Sequence, residues 1–305
     1  MHLIITDSGL GGLSVCAKLM SLLKEAGFNE PDFSGINLKI TYINASPSND
    51  RGYNDMSDLS EKSLTFKKIL KNIQNNYSPD LIFVACGTLS GLLKEIMPNN
   101  QMTNNIKDII PIGTNLLLKN IHTVKRSKIL IFGTPTTIHT KIFEEPLIKK
   151  GVSKNRIFVQ ECPKLASRIS NDFDGLEVSK LISEFVKISL KNLSTNPKEP
   201  LIVFLGCTHY AYRQNFFLNS FSLEGYNNLN ILNPNLESAI YLKNFILKSQ
   251  TNAVLKTSKI SLEFVSPYAI PKQEKITLVN LLNSVSVDTA LALKNEIVYP
   301  QLVEG

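Results

Sequence analysis

Two of the four cysteines in this 305-residue chain stand where chemistry is done. LIFVACGT at 81–88 and LIVFLGCTH at 201–209 are apolar runs that each end on a thiol. Open α/β sheets bind ligands at the carboxyl ends of their strands. Cys86 and Cys207 therefore read as two thiols aimed at a ligand from equivalent places, about 120 residues apart. Gly87, Thr88 and Ser90 after Cys86 leave room for a ligand and supply donors. A helix is expected to start there, and its positive end favours a thiolate. Thr208 and His209 follow Cys207, and a His two residues on can hold or exchange a proton with a nearby thiol. Each Cys also has a plain reading, a buried thiol that ends a strand. A Cys-His pair alone would suit a cysteine hydrolase or acyltransferase, but such an enzyme needs one thiol and leaves Cys86 unexplained.

Two polar loops have the same strand-end placement. Asp7-Ser8-Gly9-Leu10-Gly11-Gly12 follows the run HLIIT, and its glycines permit a tight turn and close approach of a ligand to backbone N–H groups. A dinucleotide fingerprint would need Gly where Ser14 stands, and no Lys-Ser/Thr of a phosphate loop is present. Asp7 is a candidate orienter of a base. Gly133-Thr134-Pro135-Thr136-Thr137 has a Pro suited to a helix start and hydroxyls suited either to a carboxylate or to ordinary capping. Cys16 and Cys162 read as structural. His2, His122 and His139 show no ligand spacing, and no close Cys pair suits zinc, so no metal is expected. Four cysteines in a long chain make no disulfide scaffold and are expected to be free thiols in a reducing compartment.

The elements that must hold these residues alternate apolar runs with amphipathic stretches, the pattern of βα units and a mainly parallel sheet. Strands are expected at 2–6, 38–43, 80–85, 108–112, 128–132, 156–160, 200–205, 229–232 and 259–265. Helices are expected from Leu13, at 57–76, 136–150, 178–193 and 236–248, and after 271. The echo between the Cys86 and Cys207 segments suggests two similar α/β domains facing one cleft. Their boundaries are expected as 1–98 plus 211–305 for the first domain, and 99–210 for the second.

Composition bounds the rest. With 43% hydrophobic and 19% charged residues the chain is globular in type, not disordered. No apolar run is long enough for a membrane span, and the first residues lack a signal-peptide pattern. A net charge of +7 allows nucleic acid or anionic small molecules as partners. The basic residues are scattered, however, and Trp is absent, so no nucleic-acid partner is expected.

Three stretches together resemble glutamate racemase, of the cofactor-independent aspartate/glutamate racemase superfamily. They are DSGLGGLSV at 7–15, Cys-x-Thr at 86–88 and LGCTHY at 205–210. FGTPTT at 132–137, Glu161-Cys162-Pro163 and ILNP at 231–234 add to the match, in family order, over residues 1 to about 265. The resemblance implies two parallel-sheet α/β domains with the active site in the cleft between them. It implies racemisation of glutamate without a cofactor, supplying D-glutamate for bacterial peptidoglycan in the cytoplasm, and it leaves room for a homodimer. Cys86 would be the base for the D-enantiomer and Cys207 for the L-enantiomer, with Asp7 assisting the first and His209 the second. Ser8, Gly52, Gly87, Thr88, Thr134 and Thr208 would bind the substrate.

The chain departs from the family pattern in the substrate shell. The family's Asn after the first Cys is Gly87, and its Pro-Tyr-Gly stretch is Asp50-Arg51-Gly52-Tyr53-Asn54, whose Arg is expected to add a cation near the mouth of the site. Ser170 stands where a carboxylate is common, and Ala211 where a Pro is. The changes at Gly87, Arg51 and Ser170 keep open a racemase of another amino acid such as aspartate, or a relative acting on a different acidic compound; intact Cys86 and Cys207 argue against a second rival, a non-catalytic relative that binds an acidic ligand or a protein partner.

Overall fold

The computed structural model describes residues 1–26, 37–97, 105–123, 127–193, 196–249 and 259–304. In chain order the elements begin with β1 (His2–Asp7), α1 (Leu13–Glu25), β2 (Asn37–Asn44), α2 (Leu59–Tyr77), β3 (Leu81–Val84) and α3 (Gly87–Ile96). Next come β4 (Ile106–Asp108), α4 (Ile110–Thr123), β5 (Lys128–Gly133), α5 (Pro135–His139), α6 (Glu144–Lys149), β6 (Ile157–Glu161) and α7 (Leu165–Asn171). Then follow α8 (Leu176–Leu193), β7 (Leu201–Leu205), α9 (Gln214–Leu223), β8 (Leu229–Leu232) and α10 (Asn235–Lys248). The chain closes with β9 (Lys259–Ser266), α11 (Lys272–Asn283), α12 (Val287–Lys294) and β10 (Ile297–Val298). No helix among the described residues is long and apolar enough to cross a membrane.

The strands form two wholly parallel sheets, ordered β10-β9-β2-β1-β3-β4 and β6-β5-β7-β8. Helices cover both faces of such sheets, so the strands read as continuous apolar runs rather than alternating ones. All four residues of β3 and all five of β7 are buried. Phe66, Ile69 and Leu89 from α2 and α3 pack on one face of the first sheet with Ile4, Ile43 and Val84. Ile169, Ile182 and Phe217 cover one face of the second with Leu130, Phe132 and Val203. A third cluster runs from Ile5, Tyr42 and Phe83 to Ile131 and Phe204 and joins the two sheets into one core.

The first sheet takes strands from both ends of the chain. β4 pairs with β3 through Val84 and Asp108, and β8 pairs with β7 through Val203 and Ile231. The chain therefore changes sheets after β4 and again after β8.

Two sequence expectations are corrected. The apolar stretch 108–112 is not a strand: β4 ends at Asp108, whose carboxylate accepts the Ile110 N–H at 2.8 Å and starts α4. Asp at this position caps a helix as readily as it ends a strand. The helix expected over 136–150 is two short ones, α5 and α6, broken where Lys141 takes a left-handed φ of 50°.

Candidate active site

Because both sheets are parallel, each puts all its strand ends on one side. Asp7 is the last residue of β1, Cys86 lies just past β3, Thr134 past β5, Cys162 past β6 and Cys207 past β7. These ends face one cavity of about 670 Å³. The structure brings all ten expected site residues to its wall: Cys86, Cys207, Asp7 and His209, with Ser8, Gly52, Gly87, Thr88, Thr134 and Thr208.

Cys86 caps α3. Its sulfur accepts the Leu89 N–H at 3.5 Å and lies 3.1 Å from Ser8 Oγ. Those contacts favour the thiolate, as the helix start suggested, but they lose to a larger effect. Burial, then the negative charge of Asp7, pushes the thiol up to about 12. Cys207 is buried too, and burial, Asp7 and Cys86 hold it well above its ordinary 9.0. Both thiols are therefore protonated in the unliganded protein at neutral pH.

His209 Nδ1 lies 3.9 Å from Cys207 Sγ. Burial lowers the imidazole to about 4, so it is neutral at pH 7. The histidine sits tight against the first polar loop. A methyl group at Gly11 would collide with His209 Nδ1 and Thr208 Oγ1, and one at Gly12 would meet Asp7 Cβ at 2.9 Å. These glycines are thus required by close approach.

Asp7 is 1% exposed. Burial raises its carboxyl to about 6, against the opposing pull of Thr208, Cys86 and the Gly12 and Gly9 backbone. Thr208 Oγ1 donates to Asp7 Oδ2 at 2.8 Å, and Ser8 Oγ donates to Oδ1 at 3.4 Å. Asn235, at the start of α10, fixes Thr208 from behind by donating to its carbonyl at 3.0 Å.

Part of the cavity wall is a hydroxyl cluster. Thr88 and Thr134 Oγ1 are 2.9 Å apart, and Thr134 donates to Thr137 at 2.9 Å. Thr134 also caps α5, with Pro135 in the first turn, so the capping reading and the site reading hold together. Gly87 lies against this cluster. A Cβ there would come 2.8 Å from the Gly206 carbonyl and 3.3 Å from Thr137, so this packing admits no side chain.

Three features differ from, or go beyond, the sequence reading. Arg51 does not line the cavity; it turns out to Glu61, 2.8 Å away. Cys162, read as structural, is 1% exposed and reaches the cavity beside Pro163. Glu274, on α11, also lines the cavity and faces Ser170. No local motif marks Glu274, since only the packing of α11 on α7 carries it to the site. Among the described residues, no three His, Cys, Asp or Glu side chains converge as a metal site.

Two parallel sheets share one cleft, and each supplies one thiol to it: the chain is an α/β protein of two parallel sheets with a paired-thiol cleft. The chain resembles glutamate racemases in sequence and has their fold. No protein-family model matches it. The glutamate racemase of Aliarcobacter butzleri is 28% identical over 213 residues, covering 69% of this chain and 72% of its own length. That of a Sulfurihydrogenibium species is 28% identical over 255 residues, covering 81% and 84%. The solved glutamate racemase isoform of Bacillus anthracis superposes with a TM-score of 0.72 at 19% identity, over 99% of this chain and 98% of that one. The Francisella tularensis enzyme, solved with D-glutamate, gives 0.69 at 19% identity, over 97% and 96%.

Proposed function

We propose that this protein is a cofactor-independent racemase that interconverts L- and D-glutamate with two thiols. The observation that carries the reading is the placement of Cys86 and Cys207, from different sheets, on one cavity.

The α-proton of an amino acid is very weakly acidic, and inverting the carbon needs a base on one face and an acid on the other. In one direction the Cys207 thiolate takes the α-proton of L-glutamate, and the Cys86 thiol gives its proton to the opposite face. Cys207 ends as thiol and Cys86 as thiolate, so the reverse reaction starts with the roles exchanged. His209 serves Cys207 and Asp7 serves Cys86 as proton partners. The hydroxyls of Thr88 and Thr134 and the Gly87 N–H receive the carboxylates, joined by Thr208 and Ser8 when their hydroxyls turn from Asp7, while the Gly52 N–H stays on Asp55. Charge that develops on the α-carboxylate during proton loss is met by donors already in place. The raised thiols fit this scheme, because the substrate's ammonium brings into the cleft the positive charge that a thiolate needs.

The resemblance also supports a cytoplasmic enzyme whose D-glutamate enters peptidoglycan. It supports treating each sheet with its helices as a domain, the site lying between the two. Gly87 and Ser170, which alter the substrate shell, favour as a second reading a racemase of another amino acid such as aspartate. Proton NMR in D₂O over a panel of L- and D-amino acids decides between them. The proposal expects loss of the α-proton signal from both enantiomers of glutamate ahead of other amino acids. Exchange of aspartate alone would select the second reading, and no exchange from any amino acid would refute both.

A further inference from the structure

Glu274 lies in the first turn of α11, about 190 residues along the chain from Cys86. It is half-buried and lines the same cavity as both thiols. Burial raises its carboxyl, and among the described residues the hydroxyl of Ser170 pulls the other way. Ser170 is itself fully buried, lines the cavity, and its Oγ makes no hydrogen bond within ordinary geometry. Among the described residues no cation pairs with Glu274. Its neighbour Lys275 is taken by Glu296.

The other carboxylates on the cavity wall are satisfied or exposed. Asp7 accepts from Thr208 and Ser8, Asp55 accepts the Gly52 N–H at 3.0 Å, and Asp50 is exposed on its loop. Glu274 is thus the half-buried carboxylate left without a charged partner. A carboxylate taken partly out of water without a cation costs free energy, and a cationic ligand removes that cost. The cavity is also polar in one sense. Its threonine cluster supplies hydroxyl donors suited to carboxylates, whereas α11 and α7 supply an acid without a cation and the Ser170 hydroxyl beside it.

We propose that Glu274, with Ser170 beside it, is the counter-ion for the ammonium group of the bound amino acid and sets the orientation in which the substrate enters the cleft. The proposal rests on the racemase reading and adds to it a specificity-determining residue contributed by the C-terminal helix. Ser170 then does not leave the site short of a carboxylate, because one arrives from another element. The competing account is structural: an acid in a first helical turn stabilises the helix dipole and needs no ligand.

Glutarate separates the two accounts, since it keeps both carboxylates of glutamate and lacks the ammonium. Calorimetric binding of glutamate and of glutarate to wild type and to Glu274→Gln is the test. Wild type should prefer glutamate. Glu274→Gln should lose glutamate affinity on the order of tenfold, the usual cost of a lost charged hydrogen bond, while glutarate binds as well or better. KM for both enantiomers should rise by the same factor, with kcat less affected, and Glu274→Asp should restore part of the loss. Equal loss for glutamate and glutarate, or no loss for either, overturns the proposal. Should Glu274→Gln fail to fold, the wild-type preference and the charge-keeping Glu274→Asp decide it: the preference must be present in both. Wild-type racemisation is scored separately. Its absence alongside a retained glutamate preference removes the racemase reading only, whereas turnover with no preference over glutarate removes only the role of Glu274.

Discussion

The Thr208 hydroxyl donates to Asp7 at 2.8 Å and ties the end of β7 to the end of β1 across the cleft. The carboxylate proposed to serve Cys86 is therefore held by the residue next to Cys207. Neither thiol has an environment of its own: Asp7 raises both, and Cys86 raises Cys207.

Asp7 gives a pH signature. Its carboxyl titrates near 6 in the folded protein and at an ordinary 3.8 otherwise, so the folded state holds the proton more tightly. That contribution favours folding fully below about pH 3.8 and is lost as pH rises to about 6, a change of up to about 3 kcal/mol. Asp7→Asn, which cannot ionise, should gain stability relative to wild type over that window and lose activity. Denaturant midpoints measured from pH 4 to 7 check this, and parallel curves for the two proteins would contradict it.

Gly87 gives a packing prediction. The Gly206 carbonyl, 2.8 Å from where a Cβ would stand, leaves no room for the Asn that the resembling family carries. Gly87→Asn should cost roughly 1–3 kcal/mol, as overpacking does, and should lower activity instead of improving it. Thermal unfolding with a racemisation assay reads both, and an unchanged melting temperature would show that the Gly206 backbone yields easily.

The strands were legible because a parallel sheet covered on both faces demands unbroken apolar runs, as in LIFV and LIVFL. Strand ends then point to Asp7, Cys86, Thr134 and Cys207 with no further information. The segment 108–112 was not legible, because Asp-Ile-Ile-Pro-Ile suits a buried strand and a capped helix start equally. Position along the chain puts Arg51 near the mouth, and its side chain pairs with Glu61. Glu274 is invisible to any local pattern. It reaches the cavity only because α11 packs on α7, a pairing of elements about 100 residues apart.

The raised thiols predict slow alkylation. The gap between about 12 for Cys86 and the ordinary 9.0 leaves on the order of 10³-fold less thiolate than a free cysteine has at pH 8. Iodoacetamide labelling followed by mass spectrometry should therefore find Cys86 and Cys207 far less reactive than free cysteine, with rates that still climb above pH 9. Rapid labelling at pH 7 that levels off by pH 8 would show that a thiolate already exists in the free protein.

The central claim, two thiols with opposite stereochemical tasks, is tested most directly by single serine variants and a glutamate analogue bearing a leaving group at the β-carbon. Cys86→Ser and Cys207→Ser should each lower racemisation of glutamate by about 10²–10⁴-fold, the usual worth of a general acid–base step. Each should still ionise the enantiomer that faces its remaining thiol, and the resulting carbanion expels the leaving group. Cys86→Ser is therefore expected to eliminate from the L-analogue only, and Cys207→Ser from the D-analogue only. Elimination from both enantiomers by either variant, or near wild-type racemisation by both, would contradict the two-thiol account.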